Sequence, residues 1–213
     1  ILRMVSNNPS NPEFVYPTKG ALPFWQIGAE GGFLDAPAEI DHLLMSPAER
    51  ADVIIDFSKV PENVTSIYLI NEGPDEPFGG GRPGFEFARA DIGSTGQVMR
   101  FDLVPAVGVD TSADPTVGAL ILPTRTKLLE TKKIRRVALL EMDSNILETP
   151  DGDPIGPREA VLGVVDFNLF GNPIFIEKSW MDEITETPMA GDTEVWEIYN
   201  ITADAHPIHI HQV

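Results

Sequence analysis

The chain contains no cysteine, which excludes disulfides and thiolate catalysis among its own residues. Basic residues are scarce: 15 Lys and Arg stand against 33 Asp and Glu, a formal net charge of -18. A surface of that sign repels phosphate backbones and anionic membranes, so neither nucleic acid nor a membrane is an expected partner. The acidic residues are spread along the whole chain, as a solubilising surface requires. Long hydrophobic runs are missing too; none approaches the roughly 20 residues of a membrane-spanning helix. No basic leader precedes an apolar run, and the chain opens on Ile1, which suggests a piece of a longer protein. Three Trp and three Tyr form no aromatic platform, which argues against a carbohydrate-binding sandwich.

What is present is a globular composition, 42% hydrophobic over 213 residues, with 18 Gly and 19 Pro dispersed along it. That pattern predicts many short elements joined by turns. Residues 51–57, 66–71, 96–104, 135–142 and 193–200 read as strands, rich in β-branched or alternating residues and bounded by turn formers. In the last of these, Val195, Glu197 and Tyr199 share one face, and Trp196 and Ile198 the other. No window carries a long 3.6-residue apolar period, so the expected class is all-β and sandwich-like. Trp180 and Trp196 are expected in the core. Residues 73–84, with Gly79-Gly80-Gly81 at their centre, should form an exposed, mobile loop. No helix start with Lys and Ser or Thr follows it, so a phosphate cradle is not expected. A second linker-like stretch covers residues 107–126, and the expected division is 1–115, a linker at 116–130, and 131–213.

Three of the four histidines fall in His206-Pro207-Ile208-His209-Ile210-His211. In an extended strand His209 and His211 would point to one face with Cα atoms about 6–7 Å apart, and His206 would face the other way roughly 10 Å upstream. Metal–nitrogen bonds near ~2 Å then keep one ion from binding all three. The spacing suggests two metal centres served by one strand. Imidazole suits copper, zinc, nickel and iron alike, so zinc held by His209, His211 and further ligands stays open, as does a non-catalytic role in holding zinc or copper. His42 reads as an ordinary surface or hydrogen-bonded histidine. The six methionines are scattered and suggest no thioether site. Glu49, Arg50 and Asp52, in Pro47-Ala48-Glu49-Arg50-Ala51-Asp52, read as a turn entering a strand, with Arg50 able to fix a loop through a carboxylate.

The histidine segment resembles the His-Pro-X-His-X-His element of multicopper oxidases. Residues 186–200 resemble the strand that opens that family's last cupredoxin domain. Gln26-Ile27-Gly28-Ala29-Glu30-Gly31-Gly32-Phe33-Leu34 and residues 43–57 resemble its middle domain. The resemblance covers nearly the whole chain and is closest to the spore-coat laccase, bilirubin oxidase and phenoxazinone synthase group. It implies two Greek-key cupredoxin-like units, the second incomplete and open to association along an unpaired edge. It also implies that His206 ligates a mononuclear blue copper, while His209 and His211 ligate a trinuclear copper cluster. The implied activity couples one-electron oxidation of phenols, aromatic amines or similar donors to four-electron reduction of O2. The family's other His-X-His pairs and its His-Cys-His segment are not in these residues. The chain alone is therefore expected to be inactive, with missing parts supplied by the same protein or by other chains. Relatives of this kind are periplasmic, secreted or displayed on spore or cell surfaces.

Overall fold

The computed structural model describes residues 1–144, 146–153 and 155–210. It is all-β: eleven strands in three sheets, with two single-turn 3-10 helices among the described residues. The chain divides into two compact units. One comprises Ile1–Arg125 with the described part of the tail that starts at His206; the other is Thr126–Ala205.

The first unit is a two-sheet sandwich. One sheet has the order β4-β1-β6-β7, built from His42–Leu43 (β4), Leu2–Val5 (β1), Ser66–Asn71 (β6) and Gln97–Asp102 (β7). The other has the order β3-β2-β5, built from Gly32–Ile40 (β3), Phe24–Ala29 (β2) and Ala51–Ile54 (β5). All ladders in both sheets are antiparallel. Met4, Leu22, Phe24, Leu43 and Ile67 are buried in one cluster drawn from both sheets, with Ile40, Ala51, Val53, Leu69 and Phe101 packed against it. Burying each such large side chain contributes about 1.5–3 kcal/mol, so this cluster holds the two layers together.

Charge is also buried here. Glu72, at the end of β6, is 1% exposed and lies 3.1 Å from Arg3 Nε and 3.0 Å from Arg89 Nε. Arg89 in turn stacks over Tyr16, 4.3 Å from its ring centroid. The loop of residues 73–93 is thereby tied at its base: Ala90 N donates to the Gly73 carbonyl, and Glu72 N to the Ile1 carbonyl. Its tip, with Phe85 and the glycines, is exposed as expected.

The second unit is a single four-stranded sheet, β10-β9-β8-β11. It comprises Pro173–Lys178 (β10), Glu159–Phe167 (β9), Thr131–Met142 (β8) and Thr193–Asn200 (β11). β8, β9 and β10 are antiparallel, and β11 joins β8 in parallel. Cross-strand register aligns Val137, Val164, Ile176 and Ile198 on one face. On the other face it aligns Ala138, Gly163 and Tyr199. Among its described residues only Arg135, Ala138 and Gly163 are buried. Arg135 is held by Glu194, with Nε–Oε2 2.5 Å and Nη2–Oε1 2.9 Å, across the β8–β11 ladder.

Two tryptophan expectations fail. Trp180 is 97% exposed, because it lies in a turn after β10, and Trp196 is 41% exposed, because its face of β11 carries no second layer within the unit. The alternation in the sequence specifies the strand Thr193–Asn200 but says nothing of what covers each face.

Candidate metal centre

β2 and β5 place the residues that meet the histidine tail. A register shift between Gln26 and Gly28 interrupts the β2 ladders. Glycine suits position 28: a Cβ would stand 3.0 Å from the Gly32 carbonyl oxygen and 3.1 Å from Asp52 Oδ2, so a larger residue would push on its neighbours. β2 then turns tightly into β3 through Glu30, whose φ is +52°. Glu30 N donates to the Arg50 carbonyl at 3.0 Å, and Arg50 N returns a bond to Glu30 Oε1 at 3.1 Å. Upstream, Glu49 Oε2 accepts from Ser46 N at 2.6 Å, closing the turn over Pro47-Ala48. The turn-then-strand reading of this segment, with Arg50 fixing a loop through a carboxylate, is what the structure has. The carboxylate is Glu30, 2.9 Å from Arg50 Nη2.

The histidine tail leaves β11 through a polar turn. Asn200 Oδ1 accepts from Thr202 N at 3.1 Å and Thr202 Oγ1 at 2.7 Å, while Asn200 Nδ2 donates to the Asp204 carbonyl at 2.8 Å. The turn ends the strand, and residues 206–210 carry no strand, whereas the sequence predicts one there. His211 lies outside the described residues.

His206 is half-buried. His209 meets the β2–β5 corner: Arg50 Nη1 lies 3.1 Å from its Nδ1 and 3.3 Å from its Nε2, and Glu30 Oε2 lies 3.5 Å from Nδ1. Arg50 Nη1 also donates to the Ala48 carbonyl at 2.7 Å. His209 thus sits against an ion pair, its side chain 31% exposed. Among the described residues it belongs to no close-set group of three metal-ligating side chains. His42, on β4, is exposed, with Nδ1 3.8 Å from Asp41 Oδ2, as its sequence context suggests.

Sequence reasoning missed the Glu30–His209 juxtaposition, because 179 positions separate the two in the chain. The usable signal was Arg50, a fork-shaped donor beside a turn that demanded a carboxylate partner.

No protein-family model matches the chain. Individual relatives do. The chain is 33% identical over 217 residues, 96% of its length, to "Multicopper oxidase LPR1 homolog 5" of Oryza sativa subsp. japonica. It is 35% identical over 201 residues, 89% of its length, to "Multicopper oxidase LPR1 homolog 3" of the same species. It is 29% identical over 193 residues, again 89% of its length, to "Laccase" of Bacillus subtilis (strain 168). The chain spans 28%, 33% and 30% of the lengths of these three relatives. An all-β, cupredoxin-like chain that aligns along nearly its whole length with oxidases from plants and bacteria belongs to the multicopper oxidase family.

Proposed function

We propose that this chain is the segment of a laccase-like oxidase that brings histidine ligands to copper. In this reading residues 1–115 form the middle cupredoxin-like domain, 116–130 a linker, and 131–213 the opening part of the copper-binding domain. The observation that carries it is His206-Pro207-Ile208-His209-Ile210-His211, standing in a chain that aligns with multicopper oxidases over 96% of its length.

The donor chemistry fits copper as a partial set. His206 and His209 offer imidazole nitrogens, which suit copper. The absence of cysteine means that no thiolate ligand comes from these residues. His206 would hold a mononuclear blue copper, and His209 and His211 would hold a trinuclear cluster. Copper in such sites supplies one-electron acceptance from a donor and multi-electron reduction of O2. The chain's own contribution is to bring the imidazoles of His206 and His209 to the site, with His209 Nδ1 3.5 Å from Glu30 Oε2. The substrates are small reducing donors such as phenols or aromatic amines, together with O2. The 213 residues alone are inactive, because the further ligands come from other segments.

Oxygen uptake with a phenolic donor tests this on the longest natural polypeptide containing the sequence. The copper-loaded protein should consume O2 and show a blue absorption band, and His206→Ala should abolish the band. A copper-loaded protein without O2 uptake, or a His206→Ala variant that keeps its blue band, would overturn the assignment.

A further inference from the structure

We infer that Arg50 and Glu30 form a latch on His209 that must open before His209 can bind a metal ion. The inference rests on the reading of His209 as a copper ligand. A neutral imidazole has one unprotonated nitrogen, and a metal ion and a guanidinium N–H compete for that lone pair. Arg50 Nη1 lies within 3.3 Å of both ring nitrogens, so the guanidinium crowds an ion that approaches either one. A fixed positive charge at that distance also repels an incoming cation.

The corner is built to hold Arg50 there and to keep it when His209 leaves. Nη2 is anchored on Glu30 Oε2 at 2.9 Å and Nη1 on the Ala48 carbonyl at 2.7 Å. Both anchors survive the loss of the imidazole, so opening costs the guanidinium only one partner. Among the described residues, Glu30 and Ala48 are the two other than glycine with positive φ, +52° and +68°. Backbone of this kind persists where the surroundings over-determine it, and it clusters at clamps and switches. Here both residues present their oxygen atoms to the same guanidinium.

The test is a chelator-competition titration with cuprous and cupric ions on the wild type, Arg50→Ala, Glu30→Gln and His209→Ala. Arg50 and Glu30 are largely exposed, so both variants should fold. Removing the guanidinium should tighten copper binding on the order of tenfold and speed its uptake. Glu30→Gln, which weakens the anchor, should give a smaller change in the same direction. His209→Ala should weaken binding. If His209→Ala weakens binding while Arg50→Ala leaves it unchanged or weaker, the latch is wrong and the ligand assignment stands. If His209→Ala has no effect, both fall. The metal-free protein gives an independent reading: the His209 ring ¹⁵N resonances should move in Arg50→Ala, and unmoved resonances would overturn the latch.

Discussion

The two units solve the burial problem differently. The first stacks two sheets, so that Phe24, 2% exposed, and Met4 and Ile67, fully buried, close a core between them. The second lays out one sheet whose aligned aliphatic residues, Leu162 and Ile176 among them, remain substantially exposed. The same alternating pattern therefore yields a closed core in one unit and an open sheet in the other. A strand pattern specifies a face to be covered; only a second layer covers it. A single sheet of this kind draws its stability within the unit from ladders and polar pairs such as Arg135–Glu194.

The contrast can be broken by mutation. Phe24→Ala should cost about 3–5 kcal/mol, read by urea unfolding through Trp25 fluorescence in a variant lacking Trp180 and Trp196. Glu72→Ala should cost a similar ~3–5 kcal/mol, because it leaves the guanidinium groups of Arg3 and Arg89 without their buried partner. In the second unit Leu162→Ala, at a side chain 65% exposed, should cost less than ~1 kcal/mol. A loss as large as that of Phe24→Ala would mean that another layer covers this face in solution, and the contrast would fail.

The polar pair gives a smaller, pH-dependent effect. Hydrogen bonds from Arg135 hold the Glu194 carboxyl below its ordinary value of 4.5. A depressed carboxylate pKa stabilises the fold above the unfolded-state value and loses that contribution as pH falls through the folded-state value. Unfolding of the second unit, followed through Trp196, should ease on acidification below about 4.5, and Glu194→Gln should flatten that limb. The smallest effect is expected for Arg125→Ala, whose partner Asp35 is as exposed as Arg125 itself. It should shift stability by less than ~1 kcal/mol, measured in the same urea series.

Much of the fold was legible from particular residues. The runs at 51–57, 66–71, 96–104, 135–142 and 193–200 all carry strands, because β-branched alternation is a local signal. β1, β2, β3, β4 and the β9–β10 hairpin fall outside those runs. β1 and β4 are too short to show a period. β9, Glu159–Phe167, is interrupted by Gly163, which reads as a weak strand residue until its neighbours are known. At Gly163 a Cβ would stand 2.8 Å from the Ile176 carbonyl oxygen, so glycine is there for the β10 partner.

The candidate site is a list of histidines in the sequence and not a place. Three histidines in six residues are the pattern on which the proposed metal chemistry rests. His209 meets Arg50 and Glu30 at a corner where Glu30 has a positive φ, which a histidine spacing does not encode.

The central claim is that His206 and His209 are copper ligands. Pulsed EPR of the cupric-loaded protein tests it most directly, by reading the remote-nitrogen modulation of coordinated imidazole. The wild type should show that modulation, and His206→Ala and His209→Ala should each reduce it. An unchanged spectrum in the double variant would contradict the claim.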